Sequence, residues 1–265
     1  MKRFCKLVSL SVQGALFYRA AFLFNLFTPL LLLGGQFMLW NALYRLGGGA
    51  PIGGYSRERM YSYLILAFCI HNLLTWSSEN DLSREIRSGA VVARCMRPVP
   101  FLMQSLGGMA GKMLPQALVN GTAAALLFLC LRTKLQTLSP AALPLALLSL
   151  VLGVLLRMAM TSFLSLLCFF TTNHLGLTWA RTALTEFFSG ALIPVSLFPG
   201  WLRSFSYCTP FPLMLQTPVS IFLGEPSPLP LPICFLLQAG WILLFILLHE
   251  WIYGKIRSNL SFAGG

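Results

Sequence analysis

The chain has 265 residues, of which 57% are hydrophobic and only 10% are charged, and its formal net charge is +12. Soluble domains carry about 25% charged residues, so this composition excludes an ordinary soluble globular protein. The basic residues lie mainly between apolar segments, as they do where Lys and Arg orient membrane helices, so no nucleic-acid partner is expected.

Seven strongly apolar segments of 19 to 25 residues contain no Asp, Glu, Lys or Arg. A helix needs about 20 residues to cross a hydrocarbon core ~30 Å thick, so these segments indicate a membrane protein. They are Ala20–Tyr44, Met60–Ser78, Met113–Leu131, Leu135–Leu156, Met158–Ala180, Ser204–Gly224 and Pro226–His249.

Prolines and single charges decide how these segments divide into helices. The segment 204–224 carries Pro210, Pro212 and Pro218, which are incompatible with a continuous lipid-facing helix, and 178–198 is the better span. We therefore predict an all-α membrane protein with a single transmembrane domain over residues 1–265. Its six transmembrane helices are predicted at 21–44, 60–77, 101–131, 141–170, 178–198 and 230–253.

The distribution of basic residues predicts the orientation of the chain. Six spans place both termini on one side, and that side collects 11 of the 19 basic residues, against six on the other. Lys and Arg are enriched in cytoplasmic loops. Both termini are therefore predicted to be cytoplasmic, and the protein to be a multi-pass protein of the plasma membrane.

The N-terminal segment 1–20 precedes the first span and is both basic and apolar. Its alternation of Lys and Arg with Phe, Leu and Val predicts an interfacial helix on the inner leaflet. A disordered basic tail is the alternative.

The external segment 199–228 is apolar but interrupted by prolines. The chain leaves span five through Pro194 and Pro199 and continues past Pro210 and Pro218. Such a segment predicts a re-entrant helical hairpin between spans five and six, shielded from lipid by protein. An ordinary external loop with an aromatic belt is the alternative.

The cytoplasmic segment 78–100 is the most polar part of the chain, since seven of the 19 residues from Glu79 to Arg97 are charged. It predicts a short amphipathic helix that ends at Gly89. A helix of about two turns is marginal alone in water, so it needs a surface to dock on. A solvated loop held against its own spans is the alternative. The residues of interest are Asp81, Leu82, Arg84, Glu85, Ile86, Arg87 and Gly89.

The sequence carries no recognisable catalytic or metal site. The glycines before Lys112 have the wrong spacing for a phosphate-binding loop, and the three histidines are far apart with no carboxylate grouping. Ionisable residues within the spans are costly and mark either ion pairs or a substrate path. Lys112, Arg157 and Glu186 are such candidates, and Glu250 lies near the end of a span.

Taken together, these features resemble the type-2 ABC exporter permeases, and within them the six-span group of about this chain's length. Two blocks carry the resemblance over the whole chain. The first is Glu85-Ile-Arg-Ser-Gly89 followed by Arg97-Pro98; the second is Gly190-Ala-Leu-Ile-Pro194, Phe198-Pro199, Pro210-Phe211, Pro218 and Gly224.

The resemblance implies an export permease subunit without an ATPase site of its own. It would pair with a second permease, identical or a sister chain, and bind two copies of a separate ABC ATPase, which would hold ATP and magnesium. The helix at 81–88 would be the coupling helix, and the turn at 171–180 a second, weaker contact. The family's cargo is amphipathic or hydrophobic: drugs, antibiotics, peptides or lipid-linked molecules.

Two other classes of function remain open at this point. A secondary transporter or channel would show internal repeat symmetry and polar residues at mid-membrane. A non-transporting membrane subunit would use the charged loop to recruit a cytosolic partner.

Overall fold

The structure is a computed structural model that describes residues 19–74, 79–131, 142–171, 174–225 and 229–259. These residues are mostly helical, and the described part of the chain contains no β-strand, only an isolated bridge between Ile52 and Tyr55. The helices are α1 (Arg19–Leu46), α2 (Arg57–Leu74), α3 (Glu79–Arg87), α4 (Val91–Cys95), α5 (Phe101–Leu131), α6 (Leu143–Leu166), α7 (His174–Phe188), α8 (Gly200–Tyr207), α9 (Phe211–Met214), α10 (Gln216–Phe222) and α11 (Leu231–Asn259).

Two of the described helices are both long and apolar enough to cross a membrane. One is Leu143–Phe169, in which a short 3₁₀ turn extends α6, and the other is Leu231–Arg257 within α11. Helices α1 and α5 are also long, with 28 and 31 residues. Helix α5 contains Pro115 and still runs unbroken from Phe101 to Leu131, as the sequence predicted.

Helix α6 lies at the centre of the bundle and packs along α11. Phe163 and Phe245 pack against each other across this contact, with ring centroids 5.8 Å apart and ring planes tilted by 36°. The buried amide of Gln238 donates to the backbone oxygen and the hydroxyl of Ser149, both at 3.1 Å. On the other side, α2 packs between α1 and α5. The bundle core therefore includes polar as well as apolar side chains.

The proline-interrupted segment α9–α10 is enclosed by protein. Residues 212–221 are all buried, and the chain breaks between the two helices at Leu215, whose φ is −131° and ψ −57°. Gln238 donates to the carbonyl of Leu213 at 2.8 Å. A Cβ on Gly153 of α6 would lie 2.8 Å from the carbonyl oxygen of Met214, so only glycine permits this approach.

The four predicted turn prolines lie where helical hydrogen bonding does not need their missing N–H. Pro194 precedes the 3₁₀ turn Val195–Leu197, while Pro199 and Pro210 directly precede α8 and α9. Pro218 lies in the first turn of α10. Proline is tolerated at such positions because the first N–H groups of a helix have no intrahelical partner.

The structure moves several predicted boundaries. The helix assigned to 178–198 is α7, which begins earlier and already ends at Phe188. The chain turns at Gly190, whose φ of +89° favours glycine, and Pro194 prevents the helix from resuming. Helix α2 begins at Arg57 rather than residue 60, because the Ser56 hydroxyl accepts a hydrogen bond from the Arg59 N–H at 3.3 Å. Most of the predicted interfacial helix at 1–20 lies outside the described residues.

Candidate functional site

Helix α3 docks on the bundle through its apolar side. Leu82 is 2% exposed, and Ile86 packs against the same cluster of side chains. The helix ends before Gly89, whose φ of +74° is the left-handed conformation of a helix stop. The cluster is formed by Leu82, Val91, Phe101, Leu166, Ile252 and Ile256. The surface that a short helix needs is therefore partly supplied by the chain itself.

Ion pairs join α3 to α5 and to α4. Asp81 pairs with Lys112 of α5, and Glu85 pairs with Arg94 of α4 at 2.9 Å. Arg94 also donates to the hydroxyl of Ser105 at 2.9 Å. From the sequence, Lys112 could belong either to an ion pair or to a substrate path. The structure gives it an ion-pair partner on α3.

The opposite side of α3 faces away from the bundle and is basic. The Arg84 side chain is 73% exposed, although it contacts Asp81 at 2.7 Å. Arg87 and Ser88 are exposed as well. A second protein that contacted α3 would therefore meet two guanidinium groups.

A cavity of about 210 Å³ lies between α2, α6 and α7. Arg157 of α6 and Arg181 of α7, each only 5% exposed, both line it. Its described lining consists of His71, Leu74, Arg157, Thr178, Arg181, Thr182, Thr185, Glu186, Ser189 and Leu215. Two of the three candidate intramembrane charges, Arg157 and Glu186, are thus brought to one cavity.

Helix α7 presents a polar stripe to this cavity. Its polar residues recur with the three- and four-residue spacing of one helix face. Trp179, Leu184 and Phe187, on the other side, are exposed and apolar. The stripe consists of Thr178, Arg181, Thr182, Thr185 and Glu186, and Ser189 extends it directly after the helix. Of these residues, only Glu186 is a candidate from the sequence alone. The periodic spacing of the hydroxyl residues could have revealed the whole stripe.

Hydrogen bonds orient the groups at the cavity. Arg157 donates through Nη1 to the hydroxyl of Thr185 at 2.8 Å, and that hydroxyl donates to the carbonyl of Arg181 at 2.8 Å. Thr182 likewise donates to the carbonyl of Thr178 at 2.8 Å. The two hydroxyl protons are therefore bonded to backbone, which leaves oxygen lone pairs to accept from cations.

A buried hydrogen-bond network lies next to the cavity-lining residues Ser189 and Leu215. Tyr63 of α2 donates to the carbonyl of Gly190 at 2.7 Å and contacts the side-chain oxygen of Gln216. That oxygen also accepts from the Val195 N–H at 3.3 Å, and the Gln216 N–H donates to the carbonyl of Ser189 at 3.1 Å. The end of α7 and the start of α10 are thus joined.

A second polar cluster lies beyond this network, between the loops at the same end of the bundle. Glu225 accepts from the Tyr55 hydroxyl at 2.8 Å and pairs with Arg59 at 3.2 Å. Burial raises the pKa of the Glu225 carboxyl, partly offset by these two partners. Burial, and secondarily the neighbouring Glu225 charge, also raises the pKa of Tyr55. Among the described residues, no three His, Cys, Asp or Glu side chains lie together as metal ligands would.

Comparison with known proteins adds one finding. A family model described as ABC-2 family transporter protein matches residues 30–262, which include every helix above except the first part of α1. No curated protein and no solved structure matches the chain.

Proposed function

Since the chain belongs to the ABC-2 transporter family, we propose that it is the transmembrane permease subunit of an ATP-binding-cassette exporter. The resemblance found in the sequence is confirmed by the family match. The members of this family are membrane subunits, and the ATP-binding subunit is a separate chain. The proposal goes further: hydrolysis of ATP by that partner would drive export of a cargo through this chain.

The observation that carries the proposal is the two-sided construction of α3. Its apolar side is buried in the bundle and two of its carboxylates are paired with α5 and α4. Its other side exposes Arg84 and Arg87. A displacement of α3 by a partner would therefore be passed directly to helices of the bundle. This is what a coupling helix requires.

The proposed topology has six spans, both termini in the cytoplasm and α3 at the inner face of the plasma membrane. Helix α7 has 15 residues, and at about 1.5 Å per residue it rises only about 22 Å. The hydrocarbon core is about 30 Å thick, so the turn at 189–198 would complete the fifth crossing. The buried α9–α10 segment would then be the re-entrant part, because broken backbone is tolerated at membrane depth only inside protein.

The proposed assembly contains this chain, a second permease that is identical or a sister chain, and two copies of the ATPase. ATP and magnesium would be bound by the ATPase subunits. The proposed cargo is amphipathic or hydrophobic, of the drug, antibiotic, peptide or lipid-linked kind. A path between permeases would run beside α1, α2 and α7.

The test begins with purification of the complex from its native membrane and identification of the ATPase that accompanies it. In the reconstituted complex, Arg87→Glu should reduce cargo-stimulated ATP hydrolysis by about tenfold, because it reverses a charge on the exposed side of α3. The matched control is Arg45→Glu, an exposed residue in the last turn of α1. Equal stimulation in Arg87→Glu and the control would refute the coupling role.

A gradient-driven test addresses the competing class. Proteoliposomes that contain this chain alone should move no cargo under an ion gradient. Transport by the chain alone would identify a secondary transporter and overturn the proposal.

A further inference from the structure

The cavity between α2, α6 and α7 concentrates positive charge. Arg157 and Arg181 are each 5% exposed and line the same space. Glu186 is the acidic side chain among the described lining residues. The described lining therefore holds two guanidinium groups and one carboxylate.

The donors that face the cavity suit a carboxylate or a phosphate. Arginine presents five N–H donors in a plane and binds both anions in a bidentate manner. Thr182 and Thr185 donate their hydroxyl protons to backbone carbonyls. The guanidinium groups, and not these hydroxyls, are thus the donors that would recognise a ligand.

The size and the remaining walls of the cavity restrict the ligand further. Sites for drug-sized molecules enclose about 300–1,000 Å³, so a cavity of about 210 Å³ accommodates a headgroup and not a whole amphiphile. Leu74 and Leu215 line it beside the charged groups. An apolar body joined to an anionic group fits both kinds of wall.

We infer that this cavity binds the anionic headgroup, a carboxylate or a phosphate ester, of an amphiphile. Arg157 and Arg181 hold the anion, Thr185 orients Arg157, and Glu186 limits the affinity so that the anion can leave. The assignment of this cavity as a cargo site rests on the proposed export function. Binding of the anion itself can be measured without ATP. The same chemistry also fits an anionic phospholipid resident in the membrane, which the experiment distinguishes.

The test titrates the purified full chain in an uncharged detergent with decyl phosphate and, separately, with decyltrimethylammonium. The chain should bind the phosphate and not the cation. Arg157→Gln and Arg181→Gln should each weaken phosphate binding by about tenfold or more, because each loses a charge-assisted hydrogen bond. Arg45→Gln, which removes a surface charge, should keep the wild-type Kd. Equal binding of both probes, or an unchanged Kd in both cavity variants, would overturn the inference.

A variant that binds decyl phosphate more tightly than wild type distinguishes a change in anion recognition from a loss of folding. Glu186→Gln removes the competing negative charge and should tighten decyl phosphate binding severalfold, which an unfolded variant cannot do. Arg181→Lys, which keeps the charge but loses the planar donors, should bind more weakly than wild type and more tightly than Arg181→Gln. Weaker binding by Glu186→Gln in a chain with the wild-type Tm would contradict the inference.

Analysis of co-purified lipid separates the two sources of the anion. An anionic phospholipid that decyl phosphate displaces supports an exchangeable cargo site, whereas one that decyl phosphate leaves in place identifies a resident lipid and overturns the cargo assignment. If the phosphate binds as expected but no ATPase accompanies the chain, the export function fails and the anion site stands. If export proceeds and neither arginine variant changes binding, the anion site fails alone.

Discussion

Lys112 and Asp81 form an ion pair that joins the long helix α5 to the short charged helix α3. The two side chains are 40% and 33% exposed, and pairs of this exposure contribute only about 0.2–1 kcal/mol to stability. A second carboxylate of α3, that of Glu85, pairs with Arg94. These contacts therefore add little to stability, but they tie α3 to α5 and α4.

Lys112→Gln should uncouple the complex without unfolding the chain. We expect the Tm to change little, because less than about 1 kcal/mol is lost, while cargo no longer raises ATP hydrolysis above its basal rate. The double exchange Lys112→Asp with Asp81→Lys should restore much of the stimulation, since it rebuilds the pair in the opposite sense. ATP hydrolysis with and without cargo measures both. Full stimulation in Lys112→Gln would show that the pair transmits nothing.

Gly190→Ala should destabilise the turn at the end of α7. The residue has a φ of +89°, and an added Cβ would lie 2.5 Å from the side-chain oxygen of Gln216 and 2.7 Å from the hydroxyl of Tyr63. Strain of this kind costs about 1–3 kcal/mol, and the substitution also displaces the two groups that close the network. Scanning fluorimetry in detergent should show a clear loss in Tm. The matched control is Gly240→Ala in α11, where a Cβ meets nothing within 4 Å; an equal effect in both variants would contradict the prediction.

The pH dependence of stability should reveal Glu225. Burial raises the pKa of this carboxyl in the folded chain, so the folded state binds the proton more tightly than the unfolded state does. The contribution of Glu225 to stability is therefore fully present below its ordinary pKa of about 4.3 and is lost as the pH rises through the raised value. The Tm of wild type minus that of Glu225→Gln should fall as the pH rises above about 4.3. If the Tm difference between wild type and Glu225→Gln instead increased with pH, the pKa of Glu225 would be lowered on folding and not raised.

A local signal in the sequence was sufficient to place the end of the short charged helix α3. Gly89 was predicted as its stop, and the structure gives this residue a φ of +74°, a conformation that favours glycine. The apolar segment 113–131, extended back through Lys112 to Phe101, likewise predicted α5 as one helix. The end of α7 was missed, since the apolar residues beyond Phe188 continue the hydrophobic pattern although Gly190 reverses the chain.

Contacts between residues that are far apart in the sequence could not be predicted from such local signals. Asp81 and Lys112 are 31 positions apart, and periodicity within one helix contains no information about a partner on another. The cavity illustrates the same limit. The repeat of hydroxyl residues on α7 can be recognised in the sequence, but the contact between α7 and Arg157 of α6 depends on how the two helices pack. Packing between helices is what the sequence pattern leaves undetermined.

Gln238→Leu should test whether the α9–α10 segment is held from α11. The amide of Gln238 is fully buried and donates to Leu213 and Ser149. Leucine of similar volume keeps the packing but leaves the carbonyl of Leu213, in the last turn of α9, without this donor. An unsatisfied buried acceptor costs about 1–3 kcal/mol, so the Tm should fall, and hydrogen exchange should increase at 213–216 before it increases in α6. Gln36→Leu is the matched control, because its amide makes only a long contact of 3.5 Å to Ala191 and is half-buried. If both variants lose the same Tm, with no local increase in exchange at 213–216, then Gln238 fills space and does not hold the segment in place.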